Sequence, residues 1–160
     1  MVSNNAGITH TGGLAPLIES GQVSKITLSY VGTNKFLEKA YLQGEIELEL
    51  SPQGSIAERL RSAGHGIPGV WTRTGVDTVV EHGGIPMKLE KGGTGGVVKE
   101  GEKKETKVIE GKKYLFEPAI KGDVAILRAW KVDKAGNCRF RSAGGWISER
   151  RNEEQDELIR

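Results

Sequence analysis

Cysteine is nearly absent. Cys138 stands alone in 160 residues, which excludes an internal disulfide framework and any multi-cysteine metal site. The three histidines, His10, His65 and His82, are scattered with no short metal-ligand spacing. No apolar run reaches membrane-spanning length, and no Arg-rich or apolar leader pattern opens the chain. Charge of either sign is not in excess either. A net charge of +2, with no basic cluster, argues against a dedicated nucleic-acid or membrane surface. There is no internal repeat. What remains is an ordinary globular composition, 36% hydrophobic and 28% charged, on a length that suits one domain. Glycine is the exception: 23 of them promise tight turns and close backbone approaches.

The pattern along the chain alternates strands with helices. Asn4-Asn5-Ala6-Gly7 has the composition of a turn. Leu14–Ser20 predicts a short helix stopped at Gly21, and Lys25–Val31 a strand rich in β-branched and aromatic residues. Asn34–Leu42 carries Phe36, Leu37, Ala40 and Tyr41 at helical spacing. The order β-α-β-α then implies an α/β layer around an open, largely parallel sheet. Beyond Gly75, Thr78–Val80 reads as a brief strand. The Gly- and charge-rich Lys91–Glu105 reads as a surface loop or β-hairpin excursion. Thr106–Val108 and Tyr114–Phe116 flank Gly111 as a hairpin. Val124–Lys131, the most hydrophobic strand candidate, is expected in the core, with Asp133–Asn137 as a turn after it. Residues 142–160 form a charged tail, read as a surface helix from about Ser148 and set apart from a domain spanning 1–141.

The chemistry concentrates in Glu45–Gly75. Ile46, Leu48 and Leu50 alternate with Glu45, Glu47 and Glu49, which is a strand with one apolar face. Ser51-Pro52-Gln53-Gly54 breaks it, and Ser55 with Glu58 has the spacing of a capping box for a helix ending at Gly64 or Gly66. Ile56 and Leu60 are expected on its buried face, Arg59 and Arg61 on its exterior. A strand, a tight turn and a helix start make the kind of junction where α/β proteins hold ligands, because amides and the helix dipole point outward. The three glutamates could serve acid-base work, but their alternation marks a solvated strand face. Gly92–Gly96 lacks the Gly-Lys-Ser/Thr ending of a P-loop and does not open a helix, so it reads as a loop. Neither a serine elbow nor a dinucleotide fingerprint occurs, and nothing near Cys138 marks it as a nucleophile. From the residues alone, one loop is fit to bind an oxyanion or a phosphate.

Ordered motifs then carry a resemblance. Ser3-Asn4-Asn5-Ala6-Gly7, Ser29-Tyr30-Val31-Gly32 and Gly44–Gly54 (GEIELELSPQG) occur in sequence with Ala57–Arg61 (AERLR), Gly66-Ile67-Pro68 and Thr72–Gly75 (TRTG). Gly122-Asp123 and Ala129-Trp130-Lys131 follow. Over about Val2–Phe140 this set resembles the first half, or first subunit, of the succinyl-CoA:3-oxoacid CoA-transferases, family I CoA transferases. The resemblance implies an open α/β fold and a ping-pong transfer of CoA from succinyl-CoA to a 3-oxoacid such as acetoacetate, as in ketone-body catabolism. CoA thioester would be substrate, with no permanently bound cofactor. By the same resemblance Gln53 supplies an oxyanion donor beside a glutamate nucleophile, and Asn4, Asn5, Gly54 and Gly66 line the substrate site. That glutamate belongs to a Ser-Glu-Asn-Gly type motif of the family's second half, which this chain lacks, so Glu45, Glu47 and Glu49 do not take its place. The second half is therefore the expected partner, with a homodimer as a further possibility. The family's opening strand-loop-helix unit is also missing. Ala63 and His65 replace the usual Gly and Ala, and 142–160 replaces the usual continuation. The implied location is the mitochondrial matrix, or the cytoplasm for a bacterial form. A non-catalytic fragment or binding module of the same fold, and a sugar-phosphate isomerase relative, are the competing expectations.

Overall fold

Two short strands, β1 (Lys25–Leu28) and β2 (Glu47–Leu50), run parallel, with Ile26 beside Leu48 and Leu28 beside Leu50. A parallel pair needs a crossover connection, and α2 (Lys35–Leu42) provides it. Asn34 starts that helix: its Oδ1 accepts from Leu37 N at 2.9 Å while its Nδ2 donates to Ala6 O at 3.2 Å. The first residues add a third parallel track, bridging Val2 to Thr27 and Asn5 to Tyr30. These relations come from a computed structural model that describes residues 1–7, 9, 14–32, 34–127 and 129–141. The tail 142–160, its expected helix and His10 lie outside the described residues.

One face of the parallel tracks is apolar. Ala6, Ile18 of α1 (Ala15–Glu19), Ile26, Leu28, Leu37, Ala40, Ile46 and Leu48 form the core. Each fully buried Leu or Ile there contributes about 1.5–3 kcal/mol. Leu50, expected on this face, is exposed at the strand's end. The opposite face carries Lys25, Thr27, Glu47 and Glu49, which pair with one another: Lys25 Nζ lies 3.3 Å from Glu47 and 3.0 Å from Glu49.

A 12-residue helix, α3 (Gln53–Gly64), leads from β2 to β3 (Gly69–Thr72). From there on, every described strand pair is antiparallel. β3 joins β7 (Lys112–Pro118), which joins β6 (Thr106–Ile109), and Trp71 tilts against Phe116 with ring centroids 5.3 Å apart. β4 (Pro86–Leu89) pairs with β5 (Val97–Glu100), so the predicted excursion is a hairpin. The parallel arrangement thus holds for the N-terminal tracks. Tight turns such as Glu110-Gly111, both at positive φ, fold the later strands into hairpins.

Two expected strands are not strands. Thr78–Val80 opens a helical turn, α4 (Val79–His82), because the Thr78 side chain accepts from Val80 N at 3.1 Å and caps it. Within 124–131, the described residues before Lys131 form no strand, and Val124 and Ile126 are 83% and 84% exposed. Hydrophobicity alone does not supply the partner ladder that a strand requires. Only Lys131–Val132 (β8) pairs, with Cys138–Arg139 (β9), across a turn in which Asp133 accepts from the backbone of Ala135 and Asn137. The chain divides by its internal contacts into two units, Met1–Lys121 and Gly122–Arg160.

Candidate functional site

The three parallel tracks end at one edge. Asn5 stands beside Tyr30, and Leu28 beside Leu50, so Asn4-Asn5, Ser29-Tyr30 and Ser51–Gln53 all follow the carboxyl ends of neighbouring strands. Open α/β sheets bind ligands along that edge. Ser51 N still donates to Leu28 O at 2.9 Å, and the chain turns into α3 immediately afterwards. Pro52 makes the turn with φ −55° and ψ 141°.

This early start removes the expected capping box. Ser55 is already the third helical residue, and its buried Oγ has no hydrogen-bond partner. Glu58 instead pairs with Arg61 on the exposed side, which holds its carboxyl below the usual range. The first bond into the helix runs from Ile56 N to Pro52 O at 3.0 Å. The amides of Gln53, Gly54 and Ser55 make no hydrogen bond among the described residues.

Gln53 is therefore the first residue of the helix rather than part of a separate loop. It is exposed, and its side-chain amide has no partner among the described residues. Gly54 follows, also exposed, with open space where a Cβ would stand. Asn4 is held in place: its side-chain oxygen accepts from Ser29 Oγ and its carbonyl from Ser29 N at 3.0 Å. The Asn4 amide nitrogen has no partner among the described residues. Asn5 is exposed, and its Oδ1 accepts from Gly7 N at 3.1 Å. Asn4, Asn5, Gln53 and Gly54 thus share one edge. Gly66 does not join them: it follows the far end of α3, about 20 Å away at the helical rise per residue. There, at φ +71°, it closes the helix C-terminus, where Ile67 N donates to Ser62 O at 2.8 Å.

The largest difference from the sequence reading is Arg59. The buried residues of α3 are Ser55, Ile56, Arg59 and Ser62, while Leu60 is exposed. Arg59, only 7% exposed, lies in the interior. Its Nη1 donates to Glu49 Oε1 at 2.9 Å and to Ser51 Oγ at 3.3 Å, and its Nε to Pro118 O at 2.9 Å. Glu117, fully buried, has one carboxylate oxygen 3.8 Å from Arg59 Nε and the other bonded by Lys104. Glu49 is half-buried by comparison. Burial pushes its carboxyl up, but Lys25 and Arg59 outweigh burial and hold it below the ordinary range. Arg59, Glu49, Glu117, Lys104, Met87 and Phe116 line part of a cavity of about 400 Å³. The signal for this network was present in the sequence: Arg59 stands three residues after Ile56, on the same helical face.

Other candidates are plainly structural. Gly92–Gly96 joins β4 to β5, with the Glu90 carboxylate beside Gly96 and bonded to Thr94 at 2.9 Å, an acidic neighbour unsuited to phosphate. His65 is exposed, with Nδ1 2.8 Å from Arg61 O. Cys138 is exposed in β9. Among the described residues no acidic, histidine or cysteine group could hold a metal ion, and no helix is long and apolar enough to cross a membrane.

Comparison with known proteins places these features. A family model described as Coenzyme A transferase matches residues 1–155. A subunit of the succinyl-CoA:3-ketoacid coenzyme A transferase of Xanthomonas campestris pv. campestris is 43% identical over 141 residues, covering 88% of this chain and 50% of that subunit. The mitochondrial succinyl-CoA:3-ketoacid coenzyme A transferase 2B of Mus musculus is 41% identical over 143 residues, covering 89% of this chain and 27% of that protein. Among solved structures, the acyl-CoA transferase YdiF of Escherichia coli O157:H7 in its thioester complex with CoA superposes with a TM-score of 0.59 at 26% identity. That alignment covers 80% of this chain and 24% of the other. The chain thus spans between about a quarter and a half of the length of these relatives.

Proposed function

The chain belongs to the coenzyme A transferase family, and from that premise we propose that it supplies the oxyanion-holding half of a succinyl-CoA:3-oxoacid CoA transferase. The observation that carries this reading is the shared edge of the parallel strands, where Gln53 and Asn4 present amide groups with no other partner among the described residues. The nucleophile is a glutamate of the second half, which is the required partner.

The reaction sets the requirement. A carboxylate attacks the acyl-CoA thioester, CoA leaves as thiolate, and the resulting acyl anhydride is attacked by that thiolate to give an enzyme-CoA thioester and a free carboxylate. The same steps in reverse, with the 3-oxoacid as acceptor, return the glutamate. Every addition passes through a tetrahedral intermediate whose oxygen carries negative charge. Donors fixed in advance stabilise it without reorganising. The Gln53 side-chain amide fills that role, aided by the amides and dipole at the start of α3. Asn4, kept in position by Ser29, lines the opposite side together with Asn5, and Gly54 lets substrate approach the backbone. Gly66 lies outside the reacting edge and serves substrate only at a distance from the thioester.

CoA enters as a thioester substrate and no cofactor stays bound. The working assembly pairs this chain with the second half, with a homodimer of that unit as the larger form. The mitochondrial relatives make the matrix the proposed compartment, and bacterial relatives make the cytoplasm the counterpart.

The test is transfer of CoA from succinyl-CoA to acetoacetate, followed by acetoacetyl-CoA absorbance. The chain alone is expected to give none, and the chain assembled with a family second half to give turnover. Gln53→Ala in that assembly is expected to lower kcat about a hundred- to a thousandfold without changing thermal unfolding. Turnover by the chain alone, or a Gln53→Ala assembly as fast as the unaltered one, overturns the proposal.

A further inference from the structure

We infer that Arg59 is a positioning residue for the oxyanion site: it fixes the β2–α3 turn so that Gln53 and the first amides of α3 meet the reacting oxygen. This rests on the oxyanion role of Gln53 proposed above. The turn carrying Gln53 has few other restraints. Pro52 offers no side-chain cap, Ser55 Oγ has no hydrogen bond, and the Gln53 side chain has no partner among the described residues. A glycine follows directly, which adds backbone freedom.

Arg59 supplies the missing restraint from about one and a half turns further along the helix. Its guanidinium reaches back to Ser51 Oγ, two residues before Gln53, and to Glu49 on the strand that leads into the turn. Its Nε bonds Pro118 O at the end of β7, and its own carbonyl accepts from Ile120 N at 3.1 Å. One side chain therefore ties the helix to the strand before it and to the antiparallel sheet beside it. The planar fork makes these bonds at fixed angles, which a lysine cannot reproduce. Glu49 is itself held by Lys25, and Glu117 by Lys104, so the anchor points are charged, buried or half-buried, and short of freedom. A displacement of about 1 Å in a catalytic donor costs up to about a hundredfold in rate. The network therefore bears on rate, not only on stability.

The experiment uses the full chain assembled with a family second half, measuring kcat and KM for succinyl-CoA alongside thermal unfolding. Arg59→Met is expected to lower kcat about tenfold or more while KM stays within about twofold. Arg59→Lys is expected to recover only part of the loss. Once Gln53→Ala is present, Arg59→Met is expected to add less than about twofold, because both changes remove the same contribution. Ser51→Ala, which deletes one anchor and leaves the charges intact, gives the same non-additive pattern at smaller size and covers the case in which Arg59→Met fails to assemble. An unchanged kcat in both variants, or full additivity with Gln53→Ala, overturns the inference. If Gln53→Ala itself leaves kcat unchanged, the oxyanion reading is what has failed, and the Arg59 role falls with it.

Discussion

Gly54 separates catalytic from structural roles at a single atom. It is the second residue of α3, its backbone is helical, and an added Cβ meets nothing within 4 Å. Gly54→Ala should therefore raise stability by about 0.5–1 kcal/mol through helix propensity. In the assembled enzyme the same methyl group stands where substrate approaches, so activity should fall as stability rises. Thermal unfolding and turnover on one sample check both. Glu49 yields a second prediction. Its carboxyl titrates below the ordinary value because Lys25 and Arg59 outweigh burial. A group with a depressed folded-state pKa stabilises fully above the unfolded value of about 4.3, and that contribution is lost as pH falls through the folded one. The stability difference between the unaltered chain and Glu49→Gln should accordingly shrink between about pH 5 and pH 3, read by denaturant unfolding at each pH. At this scale the sequence showed the right residue types. Gln53 was legible from the Pro-Gln-Gly turn. Arg59 was misjudged, because a charged residue on a helix is ordinarily assigned to solvent, and only the carboxylates across from it explain its burial.

Elements were more legible than residues where local signals agreed. Helix α2, its Asn34 cap and the hairpin around Gly111 combine periodicity with turn chemistry. The helix start at Gln53 was legible only to within two residues, since Ser55 and Glu58 also had capping spacing. Thr78–Val80 and 124–131 misled because β-branched residues mark strands only when a partner is present. The contact between β2's approach and the β4–β5 hairpin was invisible in sequence. Gly44, at φ +67°, places a would-be Cβ against the carbonyls of Glu90 and Leu89. Gly44→Ala should combine a positive-φ cost of about 1–3 kcal/mol with that collision, lowering the thermal midpoint by several degrees. Gly21→Ala, also at positive φ but in open space, should cost only the backbone part. Equal losses for the two would rule out the hairpin contact.

The whole molecule divides between Lys121 and Gly122, and the apolar core sits entirely in the first unit. A chain ending at Lys121 should accordingly keep the thermal midpoint of the full chain within about 2 °C, as followed by far-UV circular dichroism; a larger fall would mean that later residues carry core stability. The proposed activity is likewise a property of more than this chain, since half a site lies on it and the nucleophile does not. The sequence by itself determined the family, the α/β order, the absence of multi-cysteine chemistry and the strand-turn-helix that carries Gln53, because all of these follow from spacing and residue type read locally. Tertiary structure decided what that turn is held by. Parallel strands bring residues 4, 30 and 53 to one edge, and a buried arginine meets carboxylates from positions 49 and 117. The physical reason is that register and burial depend on contacts between distant segments, and periodicity within any one segment carries no information about which other segment it will face.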